Sequence, residues 1–273
     1  MQRVVSAAVL APIVLLCTYA GGWLFLALCA VAAGGILWEW AALVARQAYS
    51  RILAPGLAAL LGAAALIGEG LPGTAFAVIA IGAVLAGVLP AVWPRDERAS
   101  ASALWAAGGV IYAGAALLGP ALLRRDPELG LTALLFLFAT VWITDIFAYF
   151  CGRVIGGLAL WPRVSPNKTW AGAAGGLAGG VAAGVAVAYA SGLGSPGTLA
   201  VMALMLSVLA QAGDLLESAI KRHFDAKDTS RLIPGHGGLM DRLDGFLVAA
   251  FAALLIGIMR DGIGAPARGF LVW

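Results

Sequence analysis

Residues 130–151 read GLTALLFLFATVWITDIFAYFC, an apolar run in which Asp145 is the only Asp, Glu, Lys or Arg residue. A run of about 20 apolar residues can cross a hydrocarbon core about 30 Å thick as an α-helix, which satisfies its own backbone hydrogen bonds there. This stretch therefore predicts a transmembrane helix, and it places one acid within the membrane.

Similar runs recur along the chain. The 273 residues are 62% hydrophobic and 11% charged, and this composition excludes an ordinary water-soluble surface. Nine candidate spans lie at about residues 4–20, 23–45, 52–68, 73–92, 103–123, 130–151, 170–190, 198–217 and 244–262. The first fits an uncleaved span better than a signal peptide, because further spans follow it immediately. We predict an all-α polytopic transmembrane helical bundle of about nine helices, forming a single integral membrane domain over residues 1–273.

Basic residues are distributed unequally between the two sides of these spans. Of the 17 Lys and Arg residues, all but Arg124, Arg125, Arg260 and Arg268 fall on the side of the N-terminus. The positive-inside rule therefore places the N-terminus in the cytoplasm and the C-terminus outside. We expect a multi-pass protein of the cell (inner or plasma) membrane.

Two long cytoplasmic loops, about residues 152–169 and 218–243, contain most of the polar motifs. Their Gly and Pro residues predict irregular or partly helical structure. The span at 170–190, directly after the first of these loops, carries four glycines spaced four apart, which would form one flat helical face for close packing. These are Gly172, Gly176, Gly180 and Gly184. Packing within the chain is favoured over packing against a second copy.

Three predicted spans contain acids, Glu39, Asp145 and Asp214, which are costly in lipid and usually functional. Each precedes a basic residue by seven or eight positions, or about 10–12 Å at 1.5 Å per residue. A shared depth on one side predicts a polar cavity open to the cytoplasm. The alternative is local pairing with a basic side chain, which for Glu39 is equally favoured.

Acids near the second long loop predict a metal site. On a continuing helix, Asp214, Glu217, Ser218 and Lys221 share one face. Asp241 and Asp244 lie three apart at the start of the last span. A hard divalent ion takes carboxylate ligands and leaves positions for phosphate and water. The alternative for the second pair is charge complementarity with a helix N-terminus.

Residues 218–244, SAIKRHFDAKDTSRLIPGHGGLMDRLD, combine five basic with four acidic side chains. The cations could neutralise phosphate, and the PGHGG turn could bring backbone amides close to an anion; nonspecific binding of anionic headgroups is the alternative. Residues 165–169, SPNKT, precede a predicted helix and suit phosphate binding, although such residues also serve as ordinary turns and caps.

The 218–244 segment resembles the signature of the phosphatidate cytidylyltransferase, or CDP-diacylglycerol synthase, family. DIFAYFCGR at 145–153 and SPNKTWAG at 165–172 resemble that family's other conserved region. The resemblance covers about residues 140–250, where we expect the catalytic region. Ala171 departs from the pattern, since many members have Glu there.

The resemblance implies that phosphatidic acid attacks the α-phosphorus of CTP with Mg²⁺ assistance, giving CDP-diacylglycerol and pyrophosphate. It assigns Asp214 and Asp241 as metal ligands and leaves a second metal ion open. It implies catalytic roles for Lys221, Arg222, Lys227, Asp228, His236 and Asp244. It implies substrate-binding roles for Asp145, Ser165, Lys168, Thr169, Ser218 and Arg242.

The expected partners are CTP, phosphatidic acid and membrane lipids, without nucleic acid; a homodimer is left open. Two alternatives remain at this point. A CTP-dependent lipid kinase would transfer the γ-phosphate instead. An ion-coupled transporter would also carry intramembrane acids, but the long charged loop and the lack of an inverted repeat disfavour it.

Overall fold

The computed structural model describes residues 2–45, 49–92, 99–230, 232 and 237–273. These residues form helices that follow one another along the chain, with one short β-hairpin. The helices are α1 Gln2–Ala20, α2 Gly22–Ala45, α3 Tyr49–Gly68, α4 Pro72–Val92, α5 Ala99–Arg124, α6 Gly130–Val154, α7 Trp170–Ala190, α8 Pro196–His223, α9 Met240–Asp261 and α10 Pro266–Leu271. The strands are β1 Ala159–Trp161 and β2 Ser165–Thr169.

Each of the nine predicted spans coincides with one of the helices α1 to α9. Within the described residues, seven of these helices are long and apolar enough to cross a membrane, namely α2 and α4 to α9. In α1 and α3 the apolar stretches are shorter, Ala8–Ala20 and Ile52–Gly68. The predicted polytopic helical bundle is confirmed, whereas a membrane crossing by α1 and α3 stays a prediction.

The loop before α7 differs from its prediction, because it contains a hairpin rather than irregular or helical structure. Strands β1 and β2 pair antiparallel, with Ala159 opposite Thr169 and Trp161 opposite Ser165. The polar SPNKT sequence has little intrinsic β-propensity, so pairing with a distant partner decides its conformation. The Thr169 hydroxyl then accepts a 3.1 Å hydrogen bond from the Gly172 amide and caps α7.

The chain forms two compact units. The first contains residues 1–122 and 224–242, and the second contains residues 123–223 and 243–273. The chain passes between them at three points, the last of which lies within α9. The assignment of the whole chain to a single integral domain stays a prediction.

In the first unit, α2 packs against α3, and α3 packs against α4. Ala33, Ile36 and Leu37 of α2 are fully buried. Trp40 also lies in this core, where its indole Nε1 donates a 2.8 Å hydrogen bond to the Trp105 carbonyl. Glu39 is thus held in an apolar helix beside tightly packed side chains.

In the second unit, the glycine face of α7 packs within the chain, as the sequence favoured, and its partner is α6. A Cβ on Gly172 would lie 2.7 Å from the Ala148 carbonyl oxygen, and one on Gly176 would lie 2.9 Å from the Thr144 carbonyl oxygen. Any larger residue would therefore push the two backbones apart. This close packing holds α6, with Asp145, in a fixed position against α7.

Candidate active site

Three acids from two helices of the second unit lie together. Asp214, Glu217 and Asp244 can each offer a carboxylate oxygen, and the three oxygens lie within 4.8 Å of one another. Glu217 is only 1% exposed. Carboxylates held this close repel one another strongly unless a cation is near, and hard divalent cations prefer oxygen ligands. This carboxylate cluster therefore fits a divalent metal ion.

A close approach of α8 and α9 brings these acids together. Gly213 directly precedes Asp214 in the sequence, and Gly245 directly follows Asp244. A Cβ on Gly213 would lie 2.8 Å from the Asp244 carbonyl oxygen, and a Cβ on Gly245 would lie 2.8 Å from the Ala210 carbonyl oxygen. The two glycines thus let the backbones touch, so that the short side chains of Asp214 and Asp244 can meet.

Two lysines neutralise part of the cluster. Lys168, from β2, forms an ion pair with Asp214. Lys221 lies one turn beyond Glu217 on α8, and its Nζ is 2.7 Å from Glu217 Oε2. Asp145 and Lys168 also lie within electrostatic reach of Asp244. The cluster thus combines oxygen ligands for a metal with ammonium groups that suit phosphate.

A second polar arrangement lies in the first unit, around Asp241. Its Oδ2 accepts hydrogen bonds from the Gly238 amide at 2.8 Å, the Thr229 amide at 3.3 Å and the Thr229 hydroxyl at 3.2 Å. Gly237 has a φ of +85°, and a Cβ there would lie 2.9 Å from the same oxygen. A glycine is therefore needed at this turn for Asp241 to fold back onto it.

Glu39 accepts the next amides of this segment. Leu239 and Met240 donate to its two oxygens at 2.8 and 2.7 Å. The sequence suggested that amides of the glycine turn would approach an anion. The described amides of residues 238–240 do bind anions, but these are the protein's own carboxylates.

The structure brings together five of the residues predicted to form the site. They are Asp145, Lys168, Asp214, Lys221 and Asp244. Of the others in the same unit, Ser218 follows Glu217 on α8, Ser165 begins β2, Thr169 caps α7, and Arg222 is exposed at the end of α8.

The remaining predicted site residues belong to the first unit or lie outside the described residues. Lys227 and Asp228 are exposed after α8, and Asp241 and Arg242 begin α9. The cluster in the second unit contains Asp244, and the role of Asp241 as a metal ligand stays a prediction. His236 lies outside the described residues.

Two acids with close contacts in the structure, Glu217 and Glu39, were not among the residues assigned to the site from the sequence. Glu217 shares a helix face with Asp214, and this i, i+3 spacing was the available signal. For Glu39, the signal was an acid inside an apolar span, which is costly unless it has partners. Its partners in the described residues are hydroxyls and amides far away in sequence, which no local pattern could reveal.

Fold and site together define a multi-pass helical membrane protein that gathers carboxylates suited to a hard metal ion and lysines suited to phosphate.

The chain belongs to the cytidylyltransferase family, whose model matches residues 1–259. A phosphatidate cytidylyltransferase of Brucella suis biovar 1 (strain 1330) is 43% identical, over 98% of this chain and 97% of that relative. The phosphatidate cytidylyltransferase of Bacillus subtilis (strain 168) is 43% identical over a stretch that covers 46% of this chain and 47% of that relative. The predicted family and the predicted enzyme class, a nucleotidyltransferase, are thereby confirmed.

Proposed function

We propose that this protein transfers CMP from CTP to phosphatidic acid, which produces CDP-diacylglycerol and pyrophosphate for phospholipid biosynthesis. Membership of the cytidylyltransferase family and relatives named phosphatidate cytidylyltransferase over nearly the whole chain support this function. The observation that carries it in the structure is the carboxylate cluster of Asp214, Glu217 and Asp244 with Lys168 and Lys221 beside it.

The reaction requires positioning and charge neutralisation rather than an activated side-chain nucleophile. A phosphate oxygen of phosphatidic acid forms the new bond to the α-phosphorus of CTP, and the bond between the α- and β-phosphates breaks. Because the lipid phosphate is itself the nucleophile, no Ser, Cys or His dyad is needed. Ser218 is accordingly a hydrogen-bond donor in this scheme.

Mg²⁺ is the proposed metal, held by Asp214, Glu217 and Asp244. When bound, it would supply charge neutralisation at the phosphates of CTP. For Asp241 the resemblance alone supports a role as a metal ligand, and this role, like a second metal ion, is kept as a proposal. The near-complete burial of Glu217 favours a fixed ligand geometry, since a buried side chain has few alternative positions.

Lys168 and Lys221 are proposed to contact phosphate oxygens. Each is paired with an acid of the carboxylate cluster, so each is held close to where the metal and the triphosphate would meet. The other predicted cations, Arg222 and Lys227, are exposed and can approach the nucleotide or the lipid headgroup from the aqueous side. An exposed cation contributes less binding energy than one held in a site.

The site is proposed to face the cytoplasm, where CTP is available, in the inner or plasma membrane. The distribution of the Lys and Arg residues supports this orientation. A reporter fused after Trp273 should therefore be located outside the cytoplasm. A cytoplasmic C-terminus would contradict the nine-span topology.

The function is tested with the full chain in lipid nanodiscs, supplied with CTP, phosphatidic acid and Mg²⁺. We expect α-labelled CTP to label the lipid product and γ-labelled CTP to label only pyrophosphate. Labelling of the lipid from the γ-phosphate would identify a lipid kinase instead. Absence of any CDP-lipid would contradict the proposed function.

A further inference from the structure

Glu39 is a fully buried acid in the apolar helix α2, with an exposed fraction of 0%. Its carboxylate accepts four hydrogen bonds from a segment that lies 190 to 201 residues further along the chain. Oε1 accepts from the Ser230 hydroxyl at 2.5 Å and from the Leu239 amide at 2.8 Å. Oε2 accepts from the Thr229 hydroxyl at 3.2 Å and from the Met240 amide at 2.7 Å.

These contacts hold both ends of the segment from Thr229 to Met240. Two donors are side chains at its start, and two are backbone amides at its end, where α9 begins. Hydrogen bonds to a buried charge are stronger than neutral ones, and leaving that charge without them would be costly. A single carboxylate in α2 therefore joins Thr229 and Ser230 to the start of α9.

The contacts continue from Glu39 to Asp241. The Thr229 hydroxyl lies 3.2 Å from Glu39 Oε2 and 3.2 Å from Asp241 Oδ2. Both acids therefore accept from the same hydroxyl group. A Cβ on Gly238 would lie 1.9 Å from the Thr229 hydroxyl and 2.7 Å from both Glu39 oxygens. The glycine thus leaves room for the two acids and the hydroxyl to meet.

A purely structural role would require only that Glu39 stabilise the fold. However, the residues that it contacts adjoin predicted site residues, since Asp228 directly precedes Thr229 and Asp241 directly follows Met240. Acids that bind metals are generally oriented by hydrogen bonds from a surrounding shell, and loss of such a partner costs about 10- to 100-fold in metal affinity or activity. Glu39 and Thr229 provide such a shell for Asp241.

We propose that Glu39 is a positioning residue, which holds Thr229 and Ser230 next to Leu239 and Met240 and, through the Thr229 hydroxyl, orients the carboxylate of Asp241. This inference rests on the proposed function in one respect, the role of Asp241 in Mg²⁺-dependent CMP transfer. The tether itself is a property of the protein without metal or substrate, and can be tested separately.

The first variant is Glu39→Gln, which preserves the side-chain shape. The Gln side chain has one oxygen and one NH₂ group. In the wild type, each of the two Glu39 oxygens accepts from one backbone amide and one hydroxyl. In either orientation the NH₂ therefore faces the N–H of Leu239 or Met240, and at least one backbone hydrogen bond is lost. Amide hydrogen exchange of the full chain in nanodiscs, without metal, should accelerate at Leu239, Met240 or both by about tenfold or more.

The second variant is Thr229→Val, which removes the hydroxyl but leaves the bonds between Glu39 and the Leu239 and Met240 amides. We expect exchange at Leu239 and Met240 to stay near that of the wild type. In both variants the Mg²⁺ concentration for half-maximal CMP transfer should rise by about tenfold or more. Because Thr229→Val leaves α2 unchanged, it also tests the inference if Glu39→Gln does not fold.

Two controls separate positioning from stability. Leu37→Ala removes a fully buried side chain from the same helix and should lower the melting temperature while leaving the Mg²⁺ requirement within about twofold of the wild type. Thr74→Val removes a hydroxyl that is bonded to the Leu71 carbonyl at an exposed position and should change neither property.

Wild-type exchange at both Leu239 and Met240 in Glu39→Gln would overturn the tether. Faster exchange with an unchanged Mg²⁺ requirement would overturn the positioning role, as would an equal rise in Leu37→Ala. If the wild-type protein makes no CDP-lipid, the proposed function fails and the positioning role in it fails too. The exchange experiment still decides the tether in that case.

Discussion

Replacing Gly213 by alanine should disrupt the carboxylate cluster without harming helix α8 itself. The added Cβ would lie 2.8 Å from the Asp244 carbonyl oxygen and 2.9 Å from Val248 Cγ2. Because carbon atoms pack at about 3.5 Å or more, α9 would have to move away by about 0.6 Å. Both backbone and side-chain atoms of α9 obstruct the new methyl group, so a rotation of one side chain cannot relieve the clash.

The expected loss follows from how closely metal ligands must be placed. Ligand distances tolerate changes of about 0.2 Å, which is a third of the displacement estimated above. A misplacement of about 1 Å can cost about 100-fold in rate, so we expect Gly213→Ala to lose about tenfold or more. The Mg²⁺ requirement should rise as well, since Asp214 and Asp244 lie on the two helices that separate.

The measurement is CMP transfer from α-labelled CTP over a range of Mg²⁺ concentrations. Gly197→Ala is the matched control, because it lies on the same helix and its new Cβ would meet no atom within 4 Å. In the helix interior, Ala is favoured over Gly by about 1 kcal/mol, so helix propensity would stabilise Gly213→Ala and cannot cause its loss of activity. Wild-type activity and Mg²⁺ dependence in Gly213→Ala would refute the idea that this close approach sets the geometry of the cluster.

Three further substitutions test separate parts of the site and fold. Lys168→Met should raise the KM for CTP by about tenfold, which corresponds to about 1.36 kcal/mol of binding free energy. An unchanged KM would mean that Lys168 does not contact CTP and only forms an ion pair with Asp214, worth about 0–1 kcal/mol. Asp241→Asn should remove activity while the protein stays folded, because an amide is a poor Mg²⁺ ligand, and more than about a tenth of the wild-type rate would argue against a ligand role. Ser207→Ala should lower stability by about 1 kcal/mol without changing activity, because the buried Ser207 hydroxyl forms a 2.7 Å hydrogen bond with Thr144; thermal unfolding in detergent measures the first effect.

The helices were predictable because an apolar run of sufficient length has few other structures available in a membrane. Residues 130–151 illustrate this, since the structure extends them only to Gly130–Val154. The hairpin was not predictable. Residues 165–169 form a strand only because residues 159–161 pair with them. The secondary-structure propensities of Ser, Pro, Asn and Lys do not predict that pairing.

The candidate site was predictable in part. The helical spacing of Asp214, Glu217 and Lys221 placed them on one face, and the structure keeps them there. The inclusion of Asp244 in the cluster could not be derived in the same way. It depends on Gly213 and Gly245 meeting across α8 and α9, and the rotation of two helices about their axes is decided by their packing.

By itself, the sequence determined a helical membrane protein, the helix positions and the acids and bases available for chemistry, because these depend on local composition and spacing. Only the tertiary structure decided which acids share a site and which one holds a turn. Glu39 illustrates the difference, since its four hydrogen-bond donors lie at least 190 residues away. A buried charge is tolerated where such donors converge, and that convergence exists only once the chain has folded.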